Sequence, residues 1–366
     1  MASNKNQHFV PRCYLRPFTL NGENVAINLF NTDRSLFIEK APVKNQCSRD
    51  YFYGEDLLLE RAIQASEGAY AQGLSKILQP GYCLDDTHRQ LLLRFWLLQH
   101  LRTEAASRRA LEMSAGMEDV VGAPLDAFRQ SIREAVLMAM HIFVEVIDIV
   151  DDLKVCLIRN RTAIPFFTSD DPAVMTNRWY MENRRTAGHS FGLQSAGALL
   201  LLPLSPRVLC LAYDGDVYSV PHSEGWVEVK RKHDIQAFNQ HQFFNCRANI
   251  YFRNWDDCQQ IKNDFDSVLT LRPKVRHRIH YAVFDHTESG MDRFRVVDRA
   301  AAGDHERALI HTQTVFAKPI NWPAQVSWRF KGAAYTNGTG VGYVRRGSIH
   351  RLRSDGFRKV PANKLS

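Results

Sequence analysis

The sequence has seven cysteines, Cys13, Cys47, Cys83, Cys156, Cys210, Cys246 and Cys258, and no two of them form a C-x-x-C pair. Scattered and odd in number, they exclude a disulfide framework and a thiolate zinc site, and they fit a reducing compartment. A long apolar run is also missing. The most apolar stretch, 196–213, is broken by Pro203, Ser205, Pro206 and Arg207, whereas a membrane-spanning helix needs about 20 largely apolar residues. The opening residues Met1 to Gln7 have no apolar signal-peptide core. Together these absences predict a cytoplasmic protein with no membrane partner, and they leave the oligomeric state open.

Chemical signatures are scarce too. There is no Gly-x-Ser-x-Gly elbow and no repeat at solenoid periods. The Gly-rich run 337–342 does not follow a strand and open a helix, so it is not a phosphate-binding loop. No cysteine sits in the context of a catalytic nucleophile. Wholesale disorder is excluded by composition, which is 45% apolar and 23% charged.

Charge is distributed unevenly. The chain carries +8, and residues 326–366 account for all of it, with nine Lys or Arg against Asp355 alone. The remaining 325 residues are balanced. A localised basic segment attracts phosphate backbones through a salt-dependent field. The reading is a globular unit over 1–325 followed by a Gly-rich, basic C-terminal segment over 326–366. Arg345, Arg346, Arg351 and Arg353 are its candidate nucleic-acid contacts, and the partner would be RNA or DNA. A solubilising tail with no fixed partner is the alternative.

The periodicities predict an α+β fold, a helical half followed by a mixed, largely antiparallel sheet with one or two further helices. Short strands are expected at 25–30 and 36–39. Three long helices follow, at 55–79, 86–114 and 124–152. Asp85, Asp86 and Thr87 supply acceptors at the start of the second, and Pro124 suits the first turn of the third. Strands are then expected at 155–158, 164–168, 199–202, 208–212 and 217–220. Further on come a helix at 234–247, a strand at 250–252, a helix at 257–269 and a hairpin of 280–284 with 293–297.

Several polar residues stand where chemistry is possible. The stretch Gln7-His8-Phe9-Val10-Pro11-Arg12-Cys13-Tyr14-Leu15-Arg16 sets a His and two Arg among apolar residues. So apolar a terminus docks on a core, which leaves His8, Arg12 and Arg16 partly buried and in need of partners. Glu60 and Glu67 share a helix face and can hold a hard cation or pair with Arg. Gln99 and Arg102 share another, and a buried Arg102 would want a carboxylate. Asp170 follows an apolar strand, a common position for a metal ligand or general base, although Asx residues also cap turns. Asn239 and Gln242 are amides on one helix face, suited to orienting a substrate.

Four stretches together resemble the domain of unknown function 4238 family: Gln7 to Phe18, Gln99-x-x-Arg102-Thr103, Phe167-Thr168-Ser169-Asp170-x-Pro172 with Leu202 to Pro206, and the Asn239/Gln242 helix ahead of Tyr251. Departures at Cys13, Pro17, Glu104 and Asp171 touch detail more than membership. The resemblance singles out His8, Arg12, Gln99, Arg102, Asp170 and Asn239 and implies no reaction. Fungal enzymes that build arginine-containing cyclodipeptides from charged transfer RNA are candidate relatives.

These residues suggest an enzyme acting on nucleic acid, most simply a metal-assisted phosphodiester hydrolase. Asp170 and Glu67 would hold Mg²⁺ or Mn²⁺, His8 would serve as general base or acid, and Arg12 and Arg102 would neutralise phosphate. Gln99, Asn239 and Gln242 would hold the substrate. Two alternatives stand beside it: an aminoacyl-tRNA-dependent amide-bond-forming enzyme, and a non-enzymatic binding module.

Overall fold

The computed structural model describes residues 5–55, 57–121, 131–186, 188–288 and 290–362. The fold is mixed α+β with mostly antiparallel sheets. At its centre is a five-stranded sheet in the order Trp226–Val229, Lys154–Asn160, Val208–Tyr213, Leu199–Ser205, Val174–Thr176. Only the Trp226–Val229 and Lys154–Asn160 pair is parallel.

Both faces of this sheet are covered. Leu157, Leu200, Leu202 and Cys210 face a core shared with the N-terminal stretch and the helices. Their neighbours Cys156, Ile158, Leu199, Leu201 and Leu209 face a second core with Trp179 and Tyr218. Strand side chains alternate between faces, so burial on both sides explains why 199–204 reads as an unbroken apolar run. A third core, rich in Phe, lies between a four-stranded sheet and the helices Lys232–Asn245 and Cys258–Val268.

That four-stranded sheet runs Leu36–Pro42, Ala26–Asn31, Asn249–Phe252, Thr168–Ser169. It pairs Asn31 with Asn249, so early and late strands share one sheet. A helical half followed by a sheet half is therefore not what the chain builds. The strand expected at 164–168 shrinks to Thr168–Ser169. The strand expected at 217–220 shrinks to Tyr218–Ser219 and pairs with Ser327–Trp328. The expected hairpin is present as His277–Glu288 with Met291–Val297, and Ala308–Thr314 adds an unforeseen third strand.

The helices also differ from expectation. The first spans Leu57–Ile77, ahead of Pro80 and the positive-φ Gly81. The second runs Asp86–Arg102, with Asp85 accepting from the His88 N–H. It then stops at Thr103, and a new helix covers Glu104–Val121. Thr103 adopts extended backbone. Its hydroxyl accepts from the Ala106 N–H and donates to the buried Asp171 carboxylate. One tertiary hydrogen bond and one cap thus split the helix expected at 86–114. The third begins at a capping box on Ser131 and covers Ile132–Glu145. Its expected start near Pro124 lies outside the described residues.

The C-terminal segment, as far as it is described, is part of the body. Ala333–Thr336 pairs with Arg358–Pro361, and Val326, Ala334 and Ala362 sit in the second core. The Ala362 carbonyl accepts from the Trp179 indole. Among the described residues, no helix is long and apolar enough to cross a membrane.

Candidate functional site

Strand Asn6–His8 pairs antiparallel with Ser48–Asp50, placing His8 opposite Ser48. The buried Gln7 side chain locks this strand pair by bonding to the Gly54 carbonyl and the Tyr53 N–H. Pro11 then starts a single helical turn, Arg12–Leu15, with φ already fixed near the helical value. Phe9, Val10, Tyr14, Leu15 and Phe18 are all buried in the first core. The Tyr14 hydroxyl reaches Thr168 Oγ1 at 2.7 Å. This anchoring leaves His8, Arg12 and Cys13 facing one side of the Leu57–Ile77 helix.

On that side stand Glu60, Gln64 and Glu67, spaced to share a face. With His8, Arg12 and Cys13 they line a pocket of about 420 Å³. Gln64 Nε2 donates to Glu60 Oε1 at 3.1 Å. Behind the pocket, the fully buried Arg102 holds Glu67 Oε1 at 2.8 Å. Gln99, with its amide oxygen turned to the guanidinium, accepts from Arg102 Nε at 2.8 Å and Nη2 at 2.6 Å. His8, Arg12, Gln99, Arg102 and Glu67 therefore converge, as a buried Arg in need of a carboxylate suggests.

The electrostatics of the pocket are uneven. Burial, and then the nearby Arg12 charge, lower the His8 imidazole to about 4. Burial, and secondarily the Glu67 charge, raise the Glu60 carboxyl, against the Gln64 hydrogen bond that favours its ionised form. Cys13 is pushed up to about 11 by burial and by Glu67, which disqualifies it as a nucleophile at neutral pH. His8 Nε2 and Glu60 Oε2 are both shielded from solvent, and neither has a hydrogen-bond partner in the protein. A buried polar atom left unpaired costs about 1–3 kcal/mol, so two lining one pocket need a reason. Sequence reasoning placed Glu60 on the right face but did not separate it from Glu67. The missing signal was that Glu67 is consumed by Arg102.

Asp170 does not line this pocket. Its two carboxylate oxygens accept the N–H groups of Arg247, Ala248 and Asn249, each at 2.9 Å. Burial raises its pKa to about 6, while those three donors pull the other way. Asp170 thereby fixes the turn between the Lys232–Asn245 helix and the Asn249–Phe252 strand. The expected amides work on the same junction. Gln242 accepts from Ser169 Oγ at 2.7 Å and donates to the Pro172 carbonyl at 2.9 Å. Asn239 donates to the Pro165 carbonyl at 2.8 Å. These buried side chains staple the 165–172 segment to the helix.

Asp170 is thus bound to backbone and Glu67 to Arg102, and Asp170 does not line the pocket that Glu67 lines. Among the described residues, no three His, Cys, Asp or Glu side chains are grouped to hold a metal ion. The basic segment is also sorted by the fold. Arg345 is 2% exposed. It is clamped by both Asp152 oxygens, at 3.0 and 2.8 Å, and by the Ile149 carbonyl, which hold its charge inside the fold. Arg351 pairs with Asp148, while Arg346 and Arg353 are exposed.

None of the curated proteins and none of the solved structures compared with the chain matches it. A family model described as Protein of unknown function (DUF4238) matches residues 6–256, more than half of the chain. That span holds the docked N-terminal stretch, the Arg102 cluster and the Asp170 staple, and the chain belongs to the DUF4238 family.

Proposed function

We propose that the His8 pocket is the active site of an acid–base enzyme that cleaves phosphodiester bonds in nucleic acid. The observation that carries this reading is the pair of unpartnered buried atoms, His8 Nε2 and Glu60 Oε2, in one pocket beside the Arg12 guanidinium. Environments that push two titratable groups apart assign them to opposite proton roles. His8, uncharged at neutral pH, takes the proton from the attacking hydroxyl or water. Glu60, its carboxyl held protonated to higher pH, gives a proton to the leaving oxygen as the new P–O bond forms and the old one breaks. Arg12 neutralises the phosphate. Glu67, fixed by Arg102, is a positioning residue for the helix face.

The metal-assisted form of the reading lacks its second ligand once Asp170 is bound to three backbone N–H groups, so the test separates the two. Cleavage of RNA and DNA substrates is followed with Mg²⁺, with Mn²⁺ and with chelator. Cleavage that survives chelator and falls roughly 100- to 10,000-fold in His8→Ala and Glu60→Gln supports acid–base chemistry. Cleavage abolished by chelator and by Asp170→Asn supports the metal form. No cleavage, with transfer RNA co-purifying and cyclic dipeptides in culture extracts, would replace both with the amide-bond-forming reading.

A further inference from the structure

Past the break at Thr103, the first turns of the Glu104–Val121 helix form one wall of a cleft of about 580 Å³. The other wall is the chain after the Lys232–Asn245 helix and the stretch through 272–276. Six cations line it: Arg108, Arg109, Arg247, Arg272, Lys274 and Arg276. The carboxylates on these walls are Asp33 and Glu112. Arg108 pairs with Glu104, and Arg109 pairs with Asp171. Among the described residues, the other four cations make no ion pair.

Two of these cations are held in place. Arg272 Nη2 donates to the Cys246 carbonyl at 3.0 Å, and Arg276 Nη2 donates to the Phe244 carbonyl. Each bond uses one arm of a five-donor fork. They lie at a helix C-terminus, where cations are favoured. Burial lowers the Arg276 pKa, and the charges of Arg109 and Arg272 push the same way. Such a crowd of like charges is relieved by an anion.

Arg109, Asn245 and Arg276 also line an adjoining pocket of about 410 Å³. Both volumes suit a small-molecule site, for which about 300–1,000 Å³ is usual. The second pocket is largely apolar and aromatic. Phe191 stacks on Phe316 with centroids 3.8 Å apart, and Phe244 is on the same wall. His277 lines it with both ring nitrogens shielded from solvent and unpartnered. A neutral imidazole offers one donor and one acceptor, enough to read the edge of a heterocycle.

We propose that this double pocket binds a nucleoside phosphate, with the phosphate between Arg272, Arg276 and Lys274 and the base in the Phe191, Phe244 and Phe316 pocket against His277. Free nucleotides and the terminal nucleotide of an RNA share this chemistry. The site has its own residues and does not depend on the reading of the His8 pocket.

The test is calorimetric titration of the full chain with ATP, inorganic pyrophosphate and a short single-stranded RNA. ATP is expected to bind at least about tenfold more tightly than pyrophosphate, because stacking adds to phosphate contacts. Arg272→Gln should weaken ATP binding roughly tenfold. The double variant Arg247→Gln/Lys274→Gln, at exposed positions that do not threaten the fold, should weaken it as well. His277→Leu should shrink the preference for ATP over pyrophosphate. RNA that binds more tightly than ATP and is displaced by it assigns the site to a nucleic-acid end; ATP binding that RNA does not compete with assigns it to a free nucleotide. Pyrophosphate binding as tightly as ATP, affinity unmoved in both cleft variants, or no ATP binding at millimolar concentration overturns the proposal.

Discussion

Two residues set the pH behaviour of the proposed reaction. His8 works only when unprotonated, so the rate falls as pH drops through about 4. Glu60 works only when protonated, so the rate falls again as pH rises past its raised value. A bell-shaped pH–rate profile, with its acid limb near pH 4, is therefore expected. A rate that climbs steadily to pH 9 would remove Glu60 as the acid. Arg345 offers a contrast with its neighbour. Arg345→Ala leaves Asp152 and the Ile149 carbonyl without their partner and should cost about 2 kcal/mol or more. Arg346→Ala, at an exposed position, should stay within about 0.5 kcal/mol. Chemical denaturation of the two variants tests the difference. At this scale the sequence was only partly legible. A buried Arg102 seeking a carboxylate was readable from its apolar flank, and Glu67 answered it. Nothing in the spacing of Arg345 and Arg346 told which one turns inward, because that depends on Asp152, nearly two hundred residues earlier.

At the scale of elements, the Lys232–Asn245 helix owes its docking to side chains that resemble a substrate clamp. Asp170→Ala strips the acceptor from three backbone N–H groups and should cost about 3 kcal/mol, with Gln242→Ala costing about 2 kcal/mol. Denaturant unfolding measures both, and loss of activity without loss of stability would return Asp170 to the active site. Sequence alone could not separate these readings, because an Asp after an apolar segment suits a metal or a turn equally well. Element type was read more reliably than element length. The helices at 57–77 and 232–245 and the hairpin at 277–297 follow from periodicity. The break at Thr103 does not, since its cause is a hydrogen bond to Asp171, 68 residues away.

At the scale of the whole molecule, buried titratable groups set opposing responses to acid, and the imidazoles supply the destabilising one. Burial drops His241 to about 3, and burial with the Arg109 charge drops His100 to about 4. The unfolded chain takes up these protons near pH 6.5, so the stabilisation is complete above that pH and drains away as pH falls toward 4. Each fully buried imidazole such as His241 contributes at most about 1.4 kcal/mol per pH unit. The buried Asp170 and Asp214 carboxyls, raised to about 6 by burial, act in the opposite sense below that pH. The imidazole's share is therefore read as the difference in pH slope between wild type and His241→Phe in thermal melts from pH 7.5 to 4.5. Identical pH slopes in the two proteins would contradict the burial.

The way residues 326–362 close the fold also governs how the chain is made. Val326, Ala334 and Ala362 seal the far face of the central sheet, and Arg345 reaches back to Asp152. Contacts between residues so distant in sequence form late and slowly. During synthesis, Leu199, Leu201, Leu209 and Leu211 emerge from the ribosome well before the segment that covers them. A nascent chain paused in that interval presents this leucine-rich face incompletely covered, the kind of surface that chaperones shield and that self-associates when left alone.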